Sequence, residues 1–81
     1  MNKGIFIKHK AYKDVCCLVL KSFETNSKYK LKIEWWNQGF VNSWNMGYTQ
    51  NMIVTKGDLK NWLWTKENTN CLRNADWKSF V

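Results

Sequence analysis

The chain has 81 residues and a formal net charge of +7, from 13 basic and 6 acidic side chains. This length corresponds to one small β-rich domain over residues 1–81, and 44% apolar against 23% charged residues excludes a disordered chain. The longest apolar run, residues 15–20, is too short to span a membrane, and we expect neither a signal peptide nor a membrane partner. Three cysteines, two of them adjacent, do not make a disulfide framework, so a cytoplasmic location is expected.

The N-terminal part predicts two strands. The first is a short apolar stretch at residues 4–8, followed by a basic loop over 9–13. The second covers residues 15–23 and is apolar on both sides over its first half. One face carries Val15, Cys17 and Val19, and the other carries Cys16, Leu18 and Leu20. Such a strand is central in a fold or covered by a partner chain, so it also predicts a homo-oligomer.

The clearest strand signal lies at residues 28–36, after a predicted turn at 24–27. The side chains alternate strictly between a core face (Tyr29, Leu31, Ile33, Trp35) and an outer face (Lys28, Lys30, Lys32, Glu34, Trp36). This phase makes Trp35 a core residue and Trp36 a surface or interface residue. The turn predicts an antiparallel hairpin between the second and third strands.

The C-terminal half gives weaker signals. Residues 37–48 are rich in Asn, Gly and aromatics without a clear period, and residues 50–55 predict another strand. Asp58 is interpreted as the N-cap of a short helix in which Leu59, Trp62 and Leu63 follow at helical spacing. A loop is expected over 65–70, and a last helical turn or strand over 73–81.

These elements predict a mainly β fold with one short helical turn. The architecture is either a small antiparallel sheet or a partly open barrel, which resembles SH3-like barrels in its layout. No metal, cofactor or catalytic site is expected, because His9 is the only histidine, the adjacent Cys16 and Cys17 point to opposite faces, and the carboxylates are scattered singly. We therefore expect a protein that is not an enzyme.

A basic and aromatic face is the best candidate for a binding site. Lys28, Lys30 and Lys32 emerge about 6.5–7 Å apart on one side of the third strand, and Trp36 ends the same row. Further charge is assigned to Lys8 and Lys10, and further stacking to Trp44 and Tyr48. Lysines that hold phosphates beside rings that stack on bases are typical of nucleic-acid and nucleotide sites. The alternative interpretation of the lysine row is a solvated face that discourages aggregation.

The sequence therefore predicts a non-enzymatic binding module for a phosphate-bearing ligand, nucleic acid or a nucleotide. Exposed tryptophans also mark protein interfaces, so a protein partner is the natural competitor. In this alternative, the chain is a small phage-encoded inhibitor or adaptor that occupies a host protein or sequesters a signalling nucleotide. The phage origin is suggested by the Asn- and Lys-rich composition alone.

Overall fold

The structure, a computed structural model, describes residues 1–67 and 69–81. Its strands are β1 (Phe6–His9), β2 (Val15–Glu24), β3 (Lys28–Asn37), β4 (Trp44–Thr55), β5 (Trp62–Thr65) and β6 (Lys78–Ser79). Two 3₁₀ helices, Lys56–Asn61 and Leu72–Asn74, complete the described elements. All six strands form one antiparallel sheet in the order β4-β3-β2-β1-β5-β6. The predicted mainly β fold class and the β2–β3 hairpin are confirmed.

The sheet is curled because one connection is too short for a flat sheet. Strands β4 and β5 lie four positions apart, yet only the helix Lys56–Asn61 joins them. Four strand spacings in a flat sheet measure about 19 Å, whereas seven residue steps at 3₁₀ rise span about 14 Å. Curling brings Val54 of β4 and Trp62 of β5 into one buried cluster. The result is one curled antiparallel sheet with β4 and β6 at its edges.

The concave face of the sheet holds the main core. Its buried members come from β1 to β5 and the residues just before β1: Ile5, Ile7, Cys17, Val19, Leu31, Ile33, Val54 and Trp62. Trp35 packs against this cluster, as its phase predicts, and its indole N–H donates a hydrogen bond to Gln50 Oε1 at 3.0 Å. The alternation of β3 therefore sets which side of the hairpin builds the core.

The convex face carries a second, smaller cluster at one end. Phe6, Cys16 and Leu72 are buried there, with Trp36 and Trp77 packed against them. Because Leu72 and Trp77 come from the C-terminal segment, the chain covers the second face of β2 itself. The apolar second face of this strand therefore gives no reason to expect a second copy of the chain.

A β-bulge in β2 changes the side on which its last residues lie. Val19 pairs with Ile33, but Lys21 pairs with Lys32, so Leu20 is an extra residue in the ladder. From this point the alternation is reversed, and Ser22 takes the core side opposite Leu31. Lys21 and Phe23, which the uninterrupted alternation would send into the core, lie on the convex face instead.

Replacing Ser22 by Ala is expected to stabilise the protein. The Ser22 hydroxyl is buried and lacks a hydrogen-bond partner within the described structure. An unpaired buried polar group costs about 1–3 kcal/mol, so Ser22→Ala should raise the free energy of unfolding by about 1 kcal/mol in urea denaturation. The exposed Ser79 offers a control, since Ser79→Ala removes no buried hydroxyl. A loss of stability in Ser22→Ala alone would contradict the bulged register.

Two local predictions in the C-terminal half are wrong. Thr55, not Asp58, caps the first 3₁₀ helix, because its hydroxyl accepts a hydrogen bond from the Asp58 backbone N–H at 3.2 Å. The Asp58 carboxylate instead accepts hydrogen bonds from the side chains of Asn61 and Trp62, and these bonds hold the pKa of Asp58 below its usual value. Trp62 is a core residue as predicted, but on strand β5 rather than on a helix.

The cysteines are predicted to differ in reactivity. All three are free, and burial raises the pKa of the Cys16 and Cys17 thiols to about 12. Cys71 is only half-buried. Because the thiolate is the reactive form, a thiol reagent at pH 8 should modify one cysteine quickly in the native protein and three after denaturation. Cys71→Ser should abolish the fast reaction, and rapid modification of Cys16 or Cys17 would contradict their placement.

Candidate ligand-binding surface

The part of the convex face not covered by the C-terminal segment presents a patch that is both basic and apolar. It lies where β2, β3 and β4 run side by side, and two cross-strand rows define it. One row contains Lys21 and Lys32, and the next contains Phe23, Lys30 and Ile53. We call these five residues the basic sheet face. All five side chains are exposed.

The charges on this face repel each other. Lys21 and Lys32 stand directly opposite across the β2–β3 ladder, where Cβ atoms are about 4.5–5.5 Å apart and like charges destabilise a sheet. The ion pairs found among the described residues, Lys56–Glu24 and Arg73–Asp14, do not neutralise either of them. An anion bound between the two lysines would remove this repulsion.

An exposed aromatic ring stands beside these charges. Phe23 is 74% exposed, and Ile53, two strands away in the same row, is 58% exposed. Lys30 lies between them in the register. A ring and a branched apolar side chain flanking a lysine can cover the face of a planar group whose charged substituents contact the lysines.

Of the predicted β3 row, Lys30 and Lys32 belong to this face and Lys28 lies at its end. Lys28 pairs with Thr55 and is half-buried. Trp36 lies at the opposite end of β3 and does not present a free ring. It is half-buried, packs edge-on against Phe6 with ring centroids 5.5 Å apart, and donates its indole N–H to Glu34 Oε1 at 2.9 Å. Trp36 therefore lies on the outer face, as its phase predicts, but it is half-buried against the cluster that contains Leu72.

Lys8 and Lys10 lie away from the basic sheet face. The Lys8 ammonium sits 4.6 Å from the centre of the Trp77 ring and donates a hydrogen bond to Gln38 Oε1 at 3.4 Å. Its burial lowers the pKa of Lys8 from its ordinary value. Lys10 is exposed in the turn after β1, where its backbone N–H bonds to the Asn61 carbonyl. The structure therefore does not bring these two lysines together with the lysines of β3.

Trp44 and Tyr48 are exposed on the edge strand β4. Trp44, 54% exposed, pairs with Asn37, whose position in the alternation belongs to the concave side of the sheet. Tyr48 is 52% exposed and lies in an irregular part of β4, where the pairing skips from Thr49 to Asn45. Neither ring adjoins the lysine row in the register. The loop over residues 38–43 and the irregular pairing between Asn45 and Thr49 together explain why residues 37–48 show no period.

Sequence reasoning missed Lys21, Phe23 and Ile53. The alternation of β2 assigns Lys21 and Phe23 to the core side, and only the bulge at Leu20 reverses this. One signal could have revealed it, because a lysine in phase with Val15, Cys17 and Val19 conflicts with a buried position. Ile53 gave no signal, since an isoleucine in a short apolar strand is ordinarily assigned to the core.

A second exposed surface is formed by the loop between β3 and β4, residues 38–43. Phe40 and Val41 at its tip are 81% and 77% exposed. The base of the loop is firmly held: the buried Gln38 side chain donates hydrogen bonds to the carbonyls of Lys13 and Val15 at 3.1 and 3.0 Å. We call residues 38–43 the apolar loop.

The C-terminal segment anchors the other side of the apolar loop. The Ser43 hydroxyl accepts a hydrogen bond from the Leu72 backbone N–H at 2.6 Å. Arg73 donates from Nε to the Gly39 carbonyl at 2.9 Å, and its guanidinium carbon lies 4.3 Å from the centre of the Phe40 ring. The loop is thus ordered by many contacts although its tip has few.

No family model, curated protein or solved structure matches this chain. Within residues 1–67 and 69–81, no group of three or more His, Cys, Asp or Glu side chains is placed to hold a metal ion. The helices of that same part of the chain are too short and too polar for any of them to cross a bilayer.

Proposed function

We propose that this protein is a non-enzymatic binding module for a phosphate-bearing ligand. The ligand is nucleic acid, and it is held on the basic sheet face. The observation that carries this proposal is the direct opposition of Lys21 and Lys32 beside the exposed Phe23 ring. A pair of facing lysines weakens the free protein, and an anionic ligand turns the same pair into a favourable contact. A merely solvated face has no need of this arrangement.

The lysines and the aromatic ring have different roles in the proposed site. The lysines contact phosphate oxygens and release counterions, which supplies most of the affinity without sequence preference. Phe23 stacks on one base, a contact worth about 1–3 kcal/mol. An unpaired base can reach this ring, whereas a base inside a duplex cannot, so a single strand is the preferred form. We place the module in the cytoplasm, where its free thiols remain reduced.

A salt titration tests the proposal. Fluorescently labelled single-stranded DNA, RNA, duplex DNA and a panel of cyclic nucleotides are titrated with the protein between about 50 and 200 mM salt. With three lysine contacts at about −0.7 each, the logarithm of the association constant should fall against the logarithm of salt with a slope near −2 for single strands. Tight binding of a cyclic nucleotide alone would favour sequestration of a signalling nucleotide. Absence of binding to every probe would overturn the proposal.

A second candidate function is favoured by the apolar loop. Phe40 and Val41 project from a preorganised loop, and a preorganised apolar anchor loses little entropy when it enters a pocket of another protein. This arrangement supports a small inhibitor or adaptor that occupies another protein. A chain carrying Phe40→Ser and Val41→Ser should lose such a partner in a crosslinking experiment while its nucleic-acid binding is unchanged. The Phe23→Ser variant is the matched control, since it removes an equally exposed ring elsewhere.

A further inference from the structure

The two edges of the sheet are built differently. At one edge, β6 has only two residues, Lys78 and Ser79, and a short edge strand that carries a lysine is a common protection against pairing with other chains. At the other edge, β4 has twelve residues and no strand of the described chain pairs with its outer side. The sequence of β4, Trp44–Thr55, contains neither a charged residue nor a proline. The longest strand in the sheet thus lacks the protection that the shortest one has.

Exposed apolar side chains are concentrated on the same strand. Among the described residues, nine large apolar side chains are exposed, and β4 carries four of them. These four are Trp44, Met46, Tyr48 and Ile53. An exposed edge strand with large apolar side chains and no charge is a site for pairing with another strand.

We propose that β4 is the interface between two copies of this chain, paired antiparallel about a twofold axis. The distribution of charge favours a second copy of the chain as the partner on β4. Each chain carries +7 overall, so two copies approach most easily along a stretch without charge, and the twelve residues of β4 provide one. An acidic peptide would instead be recognised by lysines on the edge strand, and β4 has none. Identical strands are self-complementary in antiparallel register, as an isologous interface requires.

Residues 49–55, the regular part of β4, form the ladder between the two copies; of the exposed apolar side chains Ile53 lies within it, and Trp44, Met46 and Tyr48 precede it on the same strand. This regular part matches β3 residue for residue, from Thr49 opposite Glu34 to Thr55 opposite Lys28. Closer to the start of the strand, Gly47 has a φ of +88° and its N–H bonds to Asn45 Oδ1 at 2.7 Å, which bends the edge. The bend limits pairing to one side of Gly47, and pairing of the same edge in both copies about a twofold axis closes the assembly at two chains.

The dimer has a consequence that rests on the proposed function. A twofold axis between antiparallel edge strands stands perpendicular to the local sheet, so the convex faces of both copies lie on the same side. Ile53, which belongs to the basic sheet face, is on the strand at the interface. The two basic sheet faces would then form one continuous surface. A dimer should therefore protect a longer stretch of single-stranded nucleic acid than a monomer does.

Sedimentation equilibrium without nucleic acid tests the dimer separately from the function. From low to high micromolar concentration, the mass should rise from 9.7 kDa toward twice that value. Thr49→Lys with Asn51→Lys places charges on the exposed β4 edge and should leave a monomer at every concentration. Asn2→Lys with Asn74→Lys adds the same charge at two other exposed sites and should dimerise like the wild type. Circular dichroism checks that all three chains are folded.

Hydrogen exchange supplies an independent readout. Amides within residues 49–55 that point away from β3 should become more protected as the wild-type concentration rises, and those of the lysine variant should not. A wild type that stays monomeric overturns the proposal, and so does a β4 lysine variant that still dimerises. A dimer that forms but does not protect a longer stretch of single-stranded nucleic acid would contradict only the joined binding surface.

Discussion

Gly39→Ala is expected to be among the most destabilising single substitutions in this protein. Gly39 has a φ of +66°, a conformation that costs about 1–2 kcal/mol for a residue with a Cβ atom. A Cβ atom at this position would also overlap the backbone carbonyl of Asn42. Backbone cannot move aside as a flexible side chain can, so the apolar loop must rearrange. We expect the free energy of unfolding to fall by more than about 2 kcal/mol in urea denaturation.

Gly47→Ala provides the control for Gly39→Ala. Gly47 has a φ of +88°, so it suffers a similar backbone penalty, but a Cβ atom added there would meet nothing within 4 Å. Its loss of stability should therefore stay near the conformational penalty of about 1–2 kcal/mol. Equal losses in the two variants would mean that the contact with Asn42 has no effect. The Gly39 variant should also lose any partner that binds through Phe40, because the ring is no longer held beneath Arg73.

The second large effect is expected on ligand binding, and two variants separate charge from stacking. Lys21→Gln with Lys32→Gln should weaken binding of single-stranded DNA and flatten the salt slope by about 1.4, at about 0.7 per phosphate contact. Phe23→Ala should weaken binding by about 1–3 kcal/mol, or five- to 150-fold, with the slope nearly unchanged. Fluorescence anisotropy over a range of salt concentrations measures both quantities for each variant.

The double variant Lys21→Gln with Lys32→Gln should also differ from the wild type in its free energy of unfolding. Because Lys21 and Lys32 face each other, their neutralisation should raise the free energy of unfolding by about 0.2–1 kcal/mol while it weakens binding. Lys60→Gln with Lys66→Gln removes the same charge from exposed positions off the basic sheet face, and it should change the slope much less. If the two double variants bind equally well, the basic sheet face is solvated surface and the apolar loop becomes the principal site.

Local pattern was sufficient to predict the central hairpin. The alternation of residues 28–36 correctly predicted the strand, its pairing with the preceding strand and the opposite sides taken by Trp35 and Trp36. This succeeds because the side-chain period of a strand is two, and one buried face makes the pattern visible in the sequence. The mainly β class follows from the same signal, repeated more weakly in the neighbouring strands.

The composition of the candidate site depends on contacts between residues far apart in the chain. The bulge at Leu20 turns Lys21 and Phe23 outward, and a bulge is visible only when two strands are paired. Trp36 packs against the cluster that contains Leu72, a residue thirty-six positions further along the chain. Local periodicity carries no information about either event.

The sequence alone therefore established the outward lysine row of β3, because backbone geometry makes side chains alternate whatever the rest of the fold does. Which aromatic ring stands beside those lysines was decided by tertiary structure. Strand pairing brought Phe23 to that face, and packing against the cluster that contains Leu72 left Trp36 half-buried. Burial of a large ring depends on which distant surface is available to cover it, and that is a property of the whole folded chain.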